Sequence, residues 1–93
     1  MLKHNTYFDG KVQSIGFERN SLAATAGVID VGEFHFGTGK AERMTVISGE
    51  LFVTLPGQAE RCYAAGTAFE IEANSGFDVR ATAPAAYLCE FLG

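Results

Sequence analysis

Residues 42–55 read Glu-Arg-Met-Thr-Val-Ile-Ser-Gly-Glu-Leu-Phe-Val-Thr-Leu, and this stretch decides the predicted fold. Arg43 to Ser48 is dense in Thr, Val and Ile, which favour β-strands. Ser48-Gly49-Glu50 is typical of a tight turn, and Leu51 to Leu55 reads as a second strand that pairs with the first. The stretch therefore predicts a β-hairpin.

Short strands between turn residues continue in both directions from this hairpin. Gly and Pro interrupt the chain often, and the apolar spacing between them is mostly two, so no long helix is expected. The other predicted strands are Lys11–Glu18, Thr25–Val31, Glu33–Gly37, Arg61–Ala64, Ala68–Glu72, Phe77–Thr82 and Tyr87–Leu92. About nine short strands predict an all-β fold, a β-sandwich or squat barrel.

The chain length predicts one domain, residues 1–93. Residues 1–10 are expected to form an N-terminal arm that is either loose or bound to a neighbouring subunit. A domain of this size has a poor ratio of surface to volume, so we expect it to bury further area as a homodimer.

The net charge of −4 excludes nucleic acid as an expected partner, because a backbone-binding surface needs clustered Lys and Arg. The seven basic residues are scattered singly, which leaves room only for a small anionic ligand. The sequence contains no apolar run of about 18 residues, so no membrane span is expected. The polar N-terminus lacks a secretion signal, so we expect a cytoplasmic protein with reduced Cys62 and Cys89.

Familiar catalytic motifs are missing from the sequence. It contains no G-x-S-x-G elbow, no phosphate-binding loop, no G-x-G-x-x-G and no C-x-x-C zinc spacing. The spacing of His35, Glu42 and Gly49 instead resembles the first motif of the cupins, where two histidines and a glutamate bind a metal. In that alignment Gly37 occupies the second histidine position, and Phe77 occupies the histidine position of the second motif. Two of four ligands are lost, so we expect neither a metal nor another cofactor.

A closer resemblance covers almost the whole chain. It depends on residues 7–17 (Tyr-Phe-Asp-Gly-Lys-Val-Gln-Ser-Ile-Gly-Phe), 32–36 (Gly-Glu-Phe-His-Phe), 42–49 (Glu-Arg-Met-Thr-Val-Ile-Ser-Gly), 65–69 (Ala-Gly-Thr-Ala-Phe), 74–77 (Asn-Ser-Gly-Phe) and 86–91 (Ala-Tyr-Leu-Cys-Glu-Phe). In these segments the sequence is similar to the small cupin family of pyrimidine/purine nucleoside phosphorylases. The resemblance implies a cupin-fold dimer that splits purine and pyrimidine nucleosides with phosphate, giving ribose 1-phosphate and free base.

Two residues are candidates for catalysis on physical grounds. Glu42 lies at a position that faces the interior in cupins, where a carboxylate can bind ribose hydroxyls or stabilise positive charge on the sugar. His35 is expected to lie opposite Phe34 and Phe36 and to point into the interior, where it can protonate the departing base.

Five residues are candidates for substrate binding. The guanidinium of Arg43 matches phosphate oxygens, although strand alternation turns it away from Glu42. Phe77 and Tyr87 can stack on a flat base. Lys11 and Ser48 are further candidates for contact with phosphate.

Two other functions stay open at this point. A non-catalytic cupin that binds a small molecule needs the same pocket without turnover. A metal-dependent cupin oxygenase or isomerase needs ligands that Gly37 and Phe77 cannot supply.

Overall fold

This computed structural model describes residues 2–92 of the chain. They contain ten β-strands and one 3-10 turn, joined by loops. The predicted all-β class is confirmed. The 3-10 turn, Phe8–Gly10, follows the first strand. In chain order the strands are β1 (Lys3–Tyr7), β2 (Val12–Arg19), β3 (Leu22–Ile29), β4 (Gly32–Gly37), β5 (Glu42–Ser48), β6 (Glu50–Thr54), β7 (Arg61–Ala64), β8 (Ala68–Ile71), β9 (Gly76–Ala81) and β10 (Ala85–Phe91).

The strands form two antiparallel sheets. The larger sheet has the order β1-β2-β3-β10-β5-β8, and the smaller one the order β4-β9-β6-β7. Alternate side chains of the central strands enter the core: on β9, Phe77, Val79 and Ala81 are buried, while Asp78 between them is exposed. Such period-two burial is typical of two packed sheets. Among residues 2–92, no helix is long and apolar enough to cross a membrane.

The predicted hairpin around Gly49 is wrong in its pairing. β5 pairs with β10 and β8 in the larger sheet, whereas β6 pairs with β7 and β9 in the smaller one. Gly49, at φ +78°, turns the chain from one sheet into the other. The crossing lets Val46 and Leu51 enter the same core from opposite sheets, each with no exposed surface.

The N-terminal residues also differ from the prediction of an arm. Lys3–Tyr7 forms β1, which pairs with β2 of the same chain in the register His4–Ile15 and Asn5–Ser14. The backbone of this segment is thus hydrogen-bonded within its own sheet, where β1 is an edge strand. The sequence does not predict this strand, because its residues, Lys-His-Asn-Thr-Tyr, lack an apolar alternation.

Candidate functional site

A cavity of about 410 Å³ lies between the two sheets, at the end of the sandwich where β4 ends and β5 begins. Its volume falls within the range of roughly 300–1,000 Å³ that small-molecule sites occupy. The loop between these strands is fixed at both ends. Thr38 Oγ1 donates to the Glu72 carbonyl at 2.7 Å, and the amide of Leu92 donates to the Ala41 carbonyl at 2.9 Å. The loop therefore holds Glu42 at the cavity.

One wall of the cavity is the inner face of the larger sheet, and it carries the polar groups. The strand register aligns Ser14, Gly27 and Tyr87 in one row across β2, β3 and β10. A neighbouring row places Thr25 of β3 beside Cys89 of β10. Gly27 leaves space for the Tyr87 phenol, because a Cβ atom there would lie 2.6 Å from the phenol oxygen. The wall offers hydroxyl and thiol groups to a bound molecule.

Glu42 supplies the carboxylate of this wall. It is half-buried at the start of β5, and the Cys89 thiol donates a hydrogen bond to its Oε1 at 3.3 Å. Burial raises the pKa of Glu42, and the thiol hydrogen bond opposes part of that rise. A half-buried carboxylate interacts more strongly than a fully exposed one with any positive charge that forms beside it.

Tyr87 and Cys89 are proton donors at neutral pH. Burial is the main reason that the pKa of Tyr87 rises from 10.0 to about 12, and hydrogen bonding with Ser14 opposes part of that rise. Burial also raises the pKa of the Cys89 thiol, and the nearby charge of Glu42 raises it further. Both groups therefore stay protonated beside the carboxylate.

The opposite wall is aromatic and belongs to the smaller sheet. Phe36 of β4 and Phe77 of β9 pack nearly parallel, with ring centroids 5.4 Å apart and planes 24° apart. Phe69 meets Phe77 edge-on at 5.6 Å, and Phe8 meets Phe36 edge-on at 5.7 Å. The cavity thus places flat apolar rings opposite hydroxyl groups and a carboxylate.

Four of the predicted site residues line this cavity: Glu42, Phe77, Tyr87 and His35. Phe77 lies deep in the core at 3 % exposure. The fourth, His35, borders the cavity, but the prediction that it points into the interior is wrong. Phe34 and Phe36 take the inward face of β4, so alternation turns His35 outward, where 67 % of its side chain is exposed and Nδ1 lies 2.8 Å from Asp78 Oδ1.

The three predicted phosphate contacts, Arg43, Ser48 and Lys11, do not line the cavity. Arg43 is exposed on the outer face of β5, as alternation from Glu42 requires. Ser48 is exposed at the turn into β6, and Lys11 is exposed between the 3-10 turn and β2. Within residues 2–92, the cavity lining contains no Lys or Arg side chain.

The site does not fit the metal that related folds bind. Gly37 has no side chain, and Phe77 is packed between other rings. His35 contacts Asp78 on the outer face, and His4 lies beside Gln13 on β2 at 3.0 Å. Of the four cupin ligand positions, only Glu42 brings a metal-binding group into the cavity, and a tight site needs about three or four. Across residues 2–92, no three His, Cys, Asp or Glu side chains are grouped as metal ligands would be.

Several residues of the polar wall are not predicted from the sequence. Cys89, Thr25 and Ser14 line the cavity together with Tyr87. The spacing of Tyr87 and Cys89, two apart on one strand, was the available signal for a shared face. The position of β10 between β3 and β5 supplied the remaining contacts, and no local pattern encodes that order.

Solved structures of other proteins share this architecture. A Vibrio parahaemolyticus protein of unknown function superimposes with a TM-score of 0.95 at 42 % identity, over 99 % of each chain. A cupin of the RmlC-like type from Shewanella frigidimarina superimposes with a TM-score of 0.78 at 16 % identity, over 97 % of this chain and 82 % of that one. The predicted cupin fold is confirmed.

Sequence comparison identifies the family. The family model described as pyrimidine/purine nucleoside phosphorylase matches residues 2–91. A protein of Anaeromyxobacter sp. (strain Fw109-5) named pyrimidine/purine nucleoside phosphorylase is 68 % identical over 93 residues, which cover 99 % of this chain and 89 % of that one. The match spans both sheets and every residue of the cavity lining. The chain therefore belongs to the pyrimidine/purine nucleoside phosphorylase family.

Proposed function

We propose that this protein catalyses nucleoside phosphorolysis in the cavity between the two sheets. The observation that carries the proposal is the half-buried Glu42 carboxylate opposite the Phe36–Phe77 pair, in a chain of this family. A phosphate oxygen attacks C1′ of the ribose as the bond from C1′ to the base nitrogen breaks. The base leaves with the electron pair and takes up a proton, and ribose 1-phosphate remains.

Glu42 stabilises the sugar in this reaction. Positive charge develops at C1′ and the ring oxygen as the base departs, and a fixed carboxylate stabilises it most where water is scarce. The same carboxylate can accept hydrogen bonds from ribose hydroxyls in the ground state. No covalent bond to the protein is needed, because positioning and electrostatics supply the rate enhancement.

The aromatic wall accounts for a broad base preference. Every base has a flat face that can stack on Phe36 or Phe77, whichever hydrogen-bonding groups its edge carries. Among residues 2–92, no Asn or Gln side chain, the amides that commonly read a base edge, lines this cavity. Purine and pyrimidine nucleosides are thus accepted through the same contacts.

Phosphate is held by neutral donors in this proposal. The lining of the cavity supplies the hydroxyls of Ser14, Thr25 and Tyr87. The raised pKa of Tyr87, about 12, keeps its phenol proton available for donation. Hydroxyls and backbone amides bind anions without a guanidinium, which fits the outward orientation of Arg43.

The protein acts as a homodimer in this proposal, and the outer face of the larger sheet carries the contact. Val28 of β3 and Ile47 of β5 expose 51 % and 56 % of their surface there. Small side chains at Ala26 and Ala86 lie among them and allow a second sheet to approach. The partner is a second copy, because a 93-residue domain gains from covering such a face.

A nucleoside panel tests the proposed function. Inosine, adenosine, uridine and cytidine are each incubated with the purified protein and phosphate, and free base is measured by chromatography. Release of both purine and pyrimidine bases supports the proposal. Saturable binding of the nucleosides without release of base favours the alternative, a non-catalytic cupin that binds a small molecule.

A further inference from the structure

We propose that Cys89 is a positioning residue for Glu42: its thiol donates a hydrogen bond that holds the carboxylate toward the bound sugar. The inference rests on the function proposed for Glu42. It gives a role to the Cys89 side chain, although phosphorolysis as a reaction does not require a thiol.

The strand geometry brings the two side chains together. β10 and β5 pair in antiparallel register, with Phe91 opposite Glu42 and Cys89 opposite Met44. Cys89 and Glu42 are therefore diagonal neighbours on the inner face, a separation that side chains of this length can span. Their Sγ and Oε1 atoms lie 3.3 Å apart, and Cys89 has only 4 % of its surface exposed.

The other residues around Glu42 do not replace the thiol as its hydrogen-bond donor. Within residues 2–92, the Cys89 thiol is the one side-chain hydrogen-bond partner of Glu42. Ile71 of β8, which faces Glu42 across the strand pair, is apolar. Arg43 and Glu90 face each other on the opposite side of the sheet, and Tyr87 lies two rows from Glu42 on the inner face.

The chemistry of a thiol suits this position. Burial and the adjacent carboxylate both raise the pKa of Cys89, so the group remains a donor and does not add a second negative charge. A thiol is a weaker donor than a hydroxyl. It can orient the carboxylate while most of the negative charge stays available to the sugar.

Infrared spectroscopy of the S–H stretching band tests the contact independently of activity. Cys62→Ala removes the exposed thiol of the smaller sheet, so a single S–H band remains. Hydrogen bonding to a carboxylate lowers the S–H frequency, and Glu42→Gln in this background is expected to raise it. A band that does not move on Glu42→Gln overturns the proposal.

Kinetics then test the effect on catalysis. Cys89→Ala is expected to lower kcat about tenfold with a smaller change in KM, because a misoriented carboxylate loses transition-state contacts first. Cys89→Ser restores most of kcat because it returns a donor, and Cys62→Ala leaves kcat unchanged. Wild-type kcat in Cys89→Ala, or equal kcat in the Ala and Ser variants, overturns the proposal.

The two experiments separate this inference from the proposed function. Cys89 is intact in the infrared measurement, so that result does not depend on the folding of a Cys89 variant. Absence of phosphorolysis in the wild-type protein together with a shifted S–H band would refute the proposed function and leave the thiol–carboxylate contact established.

Discussion

In the proposed mechanism, Glu42 contributes to catalysis at a cost to the stability of the fold. Its side chain is half-buried at the start of a strand, with a thiol as its hydrogen-bond partner. Burial disfavours the ionised form, which is the form that stabilises a cationic sugar. Retaining a charged group in such a place is typical of functional sites.

Glu42→Gln is expected to lower kcat/KM for inosine at least tenfold, a loss of about 1.4 kcal/mol of transition-state stabilisation. The amide keeps the shape of the side chain and removes the charge that faces the sugar. Glu70→Gln, an exposed position on β8 of the same sheet, is the control and keeps wild-type turnover. Unchanged turnover in Glu42→Gln would remove Glu42 from the mechanism.

The same substitution is expected to stabilise the fold at neutral pH. Because burial raises the pKa of Glu42 in the folded state, its stabilising contribution is complete below the ordinary value of 4.5 and is lost as pH rises through the folded-state value. Glutamine has no proton to lose. Urea denaturation should give a larger free energy of unfolding for Glu42→Gln at neutral pH, and the difference should shrink as pH falls toward 4.5. A variant less stable than wild type at neutral pH contradicts this assignment.

Strand alternation predicted individual side chains unevenly. It correctly separated His35 from Phe34 and Phe36, and Arg43 from Glu42. Alternation does not determine which face of β4 is the inner one. The prediction placed His35 on the inner face, and the structure places it on the outer face. Burial of two phenylalanines outweighs burial of one imidazole, and this comparison determines the outcome.

At the scale of elements, β9 joins the core to the cavity. Phe77 contacts Phe36 beside the cavity and Phe69 behind it, while Val79 and Ala81 continue inward. The strand therefore fixes the aromatic wall through the same side chains that stabilise the sandwich.

Phe77→Leu is expected to raise KM about tenfold for inosine and uridine alike, because stacking of a base on an aromatic ring contributes about 1–3 kcal/mol. Phe69→Leu is the matched control: it removes a ring that packs edge-on against Phe77 but does not line the cavity. Steady-state kinetics of both variants, with thermal unfolding in parallel, make the comparison. Equal KM values in the two variants would exclude stacking on Phe77.

Local sequence predicted the strands better than their partners. Each of the nine predicted strands overlaps an observed one, because period-two spacing and turn residues are local signals. The pairing of β5 with β10 joins residues 38 to 49 positions apart, from Ser48–Ala86 to Glu42–Phe91, and the pattern around Gly49 contains no information about it. β1 escaped detection since its polar residues pair at a sheet edge.

At the scale of the whole molecule, the two-sheet architecture followed from length, composition and strand spacing. The position of the cavity could not be predicted in this way, because it depends on which strands are neighbours in the sheets. Ser14, Thr25, Glu42 and Cys89 come from four strands that the sheet order brings side by side. Only the assembled sheet reveals the polar wall.

The proposed dimer predicts how a charge on the outer face of the larger sheet will act. Val28→Asp is expected to shift the protein from dimer to monomer at micromolar concentration, since the carboxylate would be buried against the apolar face of a second copy. Thr54→Asp places the same charge on the smaller sheet and leaves the dimer intact. Light scattering after size exclusion measures both. A monomeric wild-type protein would refute the proposal.

Phosphate dependence of nucleoside cleavage tests the central claim most directly. Uridine and inosine are incubated with the protein with and without phosphate, and products are followed by phosphorus NMR together with chromatography of the base. The account predicts ribose 1-phosphate and free base in equal amounts, and only when phosphate is present. Release of base at the same rate without phosphate, with free ribose as the other product, would contradict it and identify a hydrolase.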